Sequence, residues 1–177
     1  MDMVEKARVF ATAAHAAVGQ KRKYTGEDYI HHPIHVCTIL KEAGYKCVHM
    51  LSAALCHDVV EDTEVSLKTI EDEFGVEVAS LVNGLTDVSK PEDGNRAKRK
   101  ELDRKHISKQ SAKCKTIKLA DLISNSSSIL QHDQEFAKVY LKEKLLLLDS
   151  LVEGDSVLWH QARDIAIDGL RKLGELK

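Results

Sequence analysis

Helical periodicity is the feature that most limits what this chain can fold into. Apolar residues recur at the three- and four-residue spacing of a helix face, whereas the strict alternation of half-buried strands is scarce. Proline, which breaks helices, occurs only twice, at Pro33 and Pro91. The sequence therefore predicts an all-α protein. Because no internal repeat, low-complexity linker or shift in composition interrupts it, residues 1–177 are predicted to form a single domain.

Turn and capping signals divide the chain into successive predicted helices. Several apolar runs end at a glycine, Ser66 can cap a helix through its hydroxyl, and Pro33 fits the first turn of another. The predicted helices cover residues 3–18, 33–43, 48–60, 67–74, 76–85, 96–109, 135–151 and 157–173, with a further helix around Asp121. Residues 87–95 are predicted to form a loop.

Charge and cysteine content narrow the class of protein. The 26 basic and 28 acidic residues give a net charge of −2, which provides no argument for nucleic acid or an anionic membrane as a partner. The four cysteines form no CxxC pair, which suits a reducing compartment. No signal-peptide core is present at the N-terminus, and no uncharged stretch is long enough to span a membrane. A cytoplasmic protein is expected.

An adjacent histidine and aspartate, His57 and Asp58, lie at the end of an apolar run. Neighbouring side chains on a helix point about 100° apart, so both can reach one ion only near a helix end or a kink. The pair is therefore a candidate for metal binding. The alternative interpretation is a histidine whose hydrogen bond goes to a backbone carbonyl, beside ordinary helix-end acids.

Further ligands are available elsewhere in the chain. His31 and His32 precede Pro33, and spacing alone does not decide between them, while Asp121 lies in a later apolar helix. Two imidazoles and two carboxylates form a mixed nitrogen–oxygen set, which suits Mn²⁺, Fe²⁺, Co²⁺ or Zn²⁺ better than Ca²⁺. A six-coordinate ion with four such ligands keeps positions open for water and substrate oxygens.

Other polar residues near these candidates suggest roles in catalysis and binding. Glu61 and Asp62 could accept a proton from water or orient it. Asn125, four residues after Asp121, would share its helical face and could bind a sugar or phosphate; alternatively it is a polar residue of a helix end at residues 124–128. His15 is interpreted as a buried structural histidine, and His49 as a surface residue.

Three segments share their order and motifs with one known family. Residues 26–33 read GEDYIHHP, residues 53–63 read AALCHDVVEDT, and residues 117–121 read IKLAD. They resemble the GEPYI-x-HP, AALLHDVVEDT and KLADR segments of the hydrolase domain in RelA/SpoT-type alarmone enzymes. The similarity runs from about residue 7 to residue 130. Because no synthetase or regulatory segment follows, we expect a stand-alone small alarmone hydrolase.

The resemblance implies an all-helical HD-domain fold with one Mn²⁺ ion. The resemblance also implies that the metal ligands are His32, His57, Asp58 and Asp121. Glu61 and Asp62 would activate or place the attacking water. The implied reaction removes the 3′-pyrophosphate from ppGpp or pppGpp and yields GDP or GTP and pyrophosphate.

Departures from the family pattern affect substrate binding. In the family an Arg-Lys pair before the glycine turn contacts the base and phosphates. The turn is longer here, so the sequence does not decide which of Lys21, Arg22 and Lys23 correspond to that pair. We favour Arg22 with one of the two lysines. Asp28 replaces a proline, and the family's arginine and histidine before Asn125 are absent. The nucleotide preference is therefore left open.

Two competing hypotheses are considered, and the missing arginine and histidine leave room for the first. One is an HD phosphohydrolase acting on an adenine alarmone or on the 2′-phosphate of NADPH. The other is a nucleotide-binding module without catalysis. The non-catalytic binding module is disfavoured, because a domain that only binds nucleotides has no need of water-activating carboxylates such as Glu61 and Asp62.

Overall fold

The computed structural model describes residues 1–177, and its regular elements are all helices, which confirms the predicted all-α class. The only extended pairing is an isolated bridge between Lys21 and Asp28. The helices are α1 (Met3–Ala17), α2 (His31–Glu42), α3 (Val48–Cys56), α4 (Val59–Asp62), α5 (Leu67–Phe74), α6 (Val76–Leu85), α7 (Arg96–Ser108), α8 (Ala112–His132), α9 (Gln134–Leu148) and α10 (Ser156–Lys172). A short 3-10 helix, Pro91–Asp93, lies within the predicted loop at residues 87–95.

Local capping explains where the helices begin and end. The backbone N–H of Thr69 donates to the hydroxyl of Ser66 at 3.1 Å, which confirms the predicted cap of α5. Gly75, between α5 and α6, has a φ of +86°, a conformation that residues with a Cβ rarely adopt. Helix α2 begins at His31, two residues earlier than predicted, so Pro33 lies in its first turn as expected.

The structure differs from two of these interpretations of helix ends. The predicted helix at residues 48–60 is broken, since α3 ends at Cys56 and Asp58 adopts φ −97° and ψ −5°, outside the regular helical range. Helix α8 does not end near residues 124–128 but continues to His132. There Ser127 donates its hydroxyl to the carbonyl of Ile123 at 3.1 Å, so this serine hydroxyl is satisfied without leaving the helix.

The chain divides into two compact units, Met1–Thr86 and Asp87–Lys177. In the first unit, α3 packs against α1, α2 and α6 and contributes buried residues along almost its whole length. In the second unit, α8, α9 and α10 pack on one another around buried Tyr140, Leu141 and Leu170. The single domain predicted for residues 1–177 stays a prediction. No helix is both long and apolar enough to cross a membrane.

Candidate metal centre

The break between α3 and α4 positions the His57–Asp58 pair. Both residues lie in the short turn after Cys56, where α3 ends. Adjacent residues can bind the same ion only at such a helix end or at a kink. His32 lies in the first turn of α2, and α2 packs directly against α3. The helix packing of the first unit thus brings His32 to the turn that carries the pair. His31 is exposed instead.

The three side chains present their ligand atoms to one another. Nε2 of His57 lies 3.0 Å from Oδ2 of Asp58, and Nε2 of His32 lies 3.8 Å from the same oxygen. All three ligand atoms lie within 4.8 Å of one another. The two imidazoles are buried, whereas the Asp58 side chain is 20% exposed. The cluster therefore reaches solvent on the side of its carboxylate.

Hydrogen bonding determines which nitrogen of His57 faces the cluster. Its Nδ1 lies 2.8 Å from the backbone carbonyl of Ala54, which can only accept, so Nδ1 carries the hydrogen. The alternative interpretation, in which His57 is hydrogen-bonded to a backbone carbonyl, is therefore correct as far as it goes. In the neutral ring, however, this hydrogen bond leaves a lone pair on Nε2, and that lone pair is directed at Asp58. A lone pair and a carboxylate oxygen 3.0 Å apart require a positive charge between them. Either a metal ion or a second ring proton can supply it, and these donors fit a metal ion.

Tyr29 is a member of this cluster that the sequence did not reveal. Its hydroxyl donates to Oδ2 of Asp58 at 2.6 Å. Its ring also lies against two histidines, with centroid distances of 4.7 Å to His15 and 5.9 Å to His32. Its position three residues before His32, within the GEDYIHHP segment, is the only sequence signal that could have identified it.

A chain of hydrogen bonds holds one of the two acids after the pair. The Nε2 amide group of Gln20 donates to Oδ2 of Asp62 at 2.8 Å, while Nδ1 of His15 lies 2.6 Å from Oε1 of Gln20. Because that amide oxygen can only accept, His15 is the donor. His15 is buried, as predicted, and burial lowers its pKa.

The electrostatic surroundings favour the protonated form of Asp62. Crowding of its carboxyl group by protein atoms raises its pKa, and the negative charge of Asp58 acts in the same direction. The hydrogen bond from Gln20 opposes both effects. Glu61 lies beside Asp62 in α4, and both residues are exposed. The raised pKa of Asp62 brings it closer to the range in which a carboxylate acts as a general base.

The three cations before the glycine turn have different contacts. Lys21 forms an ion pair with Asp28, the residue that replaces the family's proline. The ammonium group of Lys23 lies 4.8 Å from the ring centroid of Tyr24. The guanidinium group of Arg22 lies 6.0 Å from the ring centroid of Tyr29. Arg22 is thus the cation in contact with the residue that binds Asp58.

The remaining predicted site residues lie on α8 in the second unit. Asp121 is buried, and its Oδ1 accepts a hydrogen bond from Nδ2 of Asn125 at 2.7 Å, which confirms that the two residues share a helical face. Nζ of Lys118 lies 2.9 Å from Oδ2 of Asp121. Within the first unit the structure brings together His32, His57 and Asp58, and the assignment of Asp121 as a fourth ligand stays a prediction.

Comparisons with known proteins agree with the motifs. The sequence profile described as HD domain matches residues 7–147. The chain is 43% identical over 108 residues to guanosine-3′,5′-bis(diphosphate) 3′-pyrophosphohydrolase MESH1 of Drosophila melanogaster, covering 60% of this chain and 59% of that protein. It is 32% identical over 144 residues to guanosine-3′,5′-bis(diphosphate) 3′-pyrophosphohydrolase of Aquifex aeolicus, covering 80% of this chain and 20% of that protein. The chain therefore spans less than two thirds of either relative.

A solved structure matches over nearly the whole length of both chains. It is described as a metazoan ortholog of SpoT that hydrolyzes ppGpp and plays a role in starvation responses. The TM-score is 0.83 at 30% sequence identity, and the match covers 99% of this chain and 98% of the other.

Proposed function

The chain belongs to the HD-domain family, and on that basis we propose that it is a metal-dependent phosphohydrolase that removes the 3′-pyrophosphate from ppGpp or pppGpp. The products are GDP or GTP and pyrophosphate. One observation carries the proposal: Nε2 of His57 and Oδ2 of Asp58 face each other at 3.0 Å, as two ligands of one cation do. The names of the relatives from Drosophila melanogaster and Aquifex aeolicus support the choice of substrate.

The proposed cofactor is one Mn²⁺ ion held by His32, His57 and Asp58, with Asp121 as the fourth ligand. The mixed imidazole and carboxylate set supports a transition metal over Ca²⁺. When bound, the ion polarises a phosphoryl oxygen and lowers the pKa of a water molecule. The two imidazoles are held in place before any ion binds, because both are buried and His57 is hydrogen-bonded to the backbone of α3.

The proposed acids act on the attacking water. Asp62 is the better supported general base, since Gln20 holds its carboxylate by a 2.8 Å hydrogen bond and its pKa is raised. Glu61, its neighbour on the same helical turn, would orient the water or share the proton. Both acids are proposed to act on the same water molecule, so either single variant is expected to lower turnover strongly.

The proposed substrate contacts come from the cationic loop and from α8. Arg22 offers a planar guanidinium that can bind two phosphate oxygens at once, and its position against Tyr29 directs it toward the candidate metal centre. Lys21 and Lys23 flank it in the same loop. Asn125 donates one amide N–H to Asp121. Its second N–H and its side-chain carbonyl oxygen are proposed to bind the nucleotide.

The proposed partner is a small nucleotide, and the proposed location is the cytoplasm. All four cysteines are free thiols, and three of them are buried. Such thiols persist in a reducing compartment, which supports this location.

Three substrates separate the proposed reaction from its competitors. Purified protein with Mn²⁺ is incubated with ppGpp, pppApp and NADPH, and the products are resolved by anion-exchange chromatography. Pyrophosphate released from ppGpp supports the proposal. Turnover of NADPH or pppApp alone would contradict the proposed substrate, and tight nucleotide binding without turnover would contradict catalysis.

Two substitutions test the ligand assignment. His57→Ala should abolish Mn²⁺ retention and turnover together, whereas His160→Ala, at an exposed histidine of α10, should change neither. Asp121→Asn keeps the size of the side chain and its bond to Asn125 while removing the charge. It should weaken Mn²⁺ binding, and unchanged affinity would exclude Asp121 as a ligand.

A further inference from the structure

A second cluster of metal-binding residue types lies at the other end of α3. Cys47 immediately precedes α3, His49 is its second residue, and Glu77 is the second residue of α6. One atom of each lies within 4.8 Å of the other two. The nine residues of α3 separate this cluster from His57 by about 13 Å, at 1.5 Å per residue. It is therefore distinct from the candidate metal centre.

The distances are close to those of a zinc site. Nδ1 of His49 lies 3.1 Å from Oε2 of Glu77. In a tetrahedral zinc site with bonds of roughly 2.0–2.3 Å, neighbouring ligand atoms lie roughly 3.3–3.8 Å apart. Because the sulfur of Cys47 lies within 4.8 Å of both other ligand atoms, it needs to move by no more than about 1 Å to reach this spacing. Small side-chain rotations suffice, because α3 and α6 already pack against each other.

The thiol of Cys47 distinguishes this cluster from a simple ion pair. An ion pair between the two helices would account for His49 and Glu77 alone. Cys37, Cys56 and Cys114 are buried and serve as small core residues, whereas Cys47 is only partly buried and lies beside the imidazole and the carboxylate. A thiolate, an imidazole and a carboxylate together match the ligand preferences of Zn²⁺.

We propose that Cys47, His49 and Glu77 bind one Zn²⁺ ion. His49 and Glu77 are 36% and 44% exposed, so the fourth position is open to water or to an exchangeable ligand. The thiol of Cys47 must lose its proton on binding, so binding strengthens as the pH rises. The ion ties the start of α3 to the start of α6 and stabilises the first unit as its concentration increases.

Cobalt binding distinguishes this site from the candidate metal centre. Co²⁺ is titrated into the reduced full-length protein while the thiolate-to-cobalt charge-transfer absorption is recorded. None of the residues proposed at the other centre is a cysteine, so this band reports the Cys47 site alone. It should appear in the native protein and disappear in Cys47→Ser. His49→Asn should weaken Co²⁺ binding at this site by at least about 100-fold. Loss of a group that only hydrogen-bonds to a metal ligand already lowers metal affinity by about 10–100-fold, and loss of a ligand itself costs more.

Matched controls and a second measurement guard against unfolding. Cys37→Ala and His160→Asn should keep the band, and circular dichroism checks that each variant is helical. In the native protein, Zn²⁺ should slow alkylation of Cys47 at least about tenfold, as read by mass spectrometry. No thiolate band, a band that survives Cys47→Ser, or alkylation unaffected by Zn²⁺ would each overturn the proposal.

Discussion

Tyr29 donates a 2.6 Å hydrogen bond to Oδ2 of Asp58, the same oxygen that lies 3.0 Å from Nε2 of His57. A residue of the loop before α2 thereby fixes the carboxylate at the end of α3. Groups that orient a candidate ligand in this way tune its affinity for metal.

Removing this hydrogen bond should weaken metal binding without unfolding the protein. Tyr29→Phe keeps the ring against His15 and His32 but leaves Asp58 without the hydroxyl. We expect Mn²⁺ affinity to fall by about 10–100-fold, as measured by isothermal titration calorimetry. Tyr24→Phe, in the same loop, serves as the control and should bind Mn²⁺ normally. Equal affinities of the two variants would show that Tyr29 does not position Asp58.

The hydrogen bond from Gln20 should determine the pH at which Asp62 becomes active. Gln20→Leu removes an interaction that lowers the pKa of Asp62, so that pKa should rise further. If the Asp62 carboxylate is the base, activity is lost as the pH falls through its pKa. The acidic limb of the pH–rate profile should therefore move to higher pH, and Gln161→Leu, at an exposed site on α10, should leave it in place. A limb that does not move would exclude Asp62 as the titrating group.

The charge of Lys144 should destabilise the protein at neutral pH. Burial lowers its pKa to about 8, Lys118 and Lys100 act in the same direction, and the carboxylates of Asp121 and Asp87 oppose the shift. The ring of Tyr140, 4.5 Å from its ammonium group, compensates only in part. Between the folded pKa of about 8 and the unfolded value of 10.5, the unfolded chain binds more protons, so stability from this group rises with pH.

Lys144→Met should therefore be more stable than the native protein at pH 7, by up to about 3 kcal/mol, and the difference should shrink by pH 10. Urea unfolding at both pH values measures it. Lys142→Met, at an exposed neighbouring lysine, should show no such dependence on pH. A difference in stability that is the same at both pH values would contradict this account.

The turn before α10 should not accept a larger residue at Gly154. A Cβ there would lie 2.9 Å from Cδ1 of Leu119, 3.1 Å from the carbonyl oxygen of Leu151 and 3.2 Å from the carbonyl carbon of Lys115. Two of these are backbone atoms, which cannot rotate away. Gly154→Ala should lower the free energy of unfolding by about 1–3 kcal/mol, measured by urea denaturation. Ser150→Ala should change it by less than about 0.5 kcal/mol, and similar values for the two variants would contradict the close packing.

Local patterns in the sequence were sufficient to predict most of the fold. Helical periodicity, glycine turns and the Ser66 cap depend on residues within a few positions of one another, and the helices they predict are present to within a few residues. The break at His57–Asp58 was not predicted, because the apolar spacing continues through it. The motifs shared with the alarmone hydrolases identified the same family as the comparisons do.

The contacts of the candidate site depended on which helices pack together. Spacing could not separate His31 from His32, whereas the packing of α2 on α3 buries His32 and leaves His31 exposed. Tyr29 and Gln20 could not be recognised because their partners, Asp58 and Asp62, are 29 and 42 residues away.

By itself, then, the sequence determined the helices, their caps and the family, because each depends on neighbouring residues or on a shared order of motifs. Tertiary structure alone decided which side chains meet. The clearest case is Cys47 and His49 beside Glu77: the sequence indicated only a surface position for His49, and the packing of α3 on α6 places it against that carboxylate. Such pairings are set by the burial of apolar helix faces, a long-range effect that no local pattern contains.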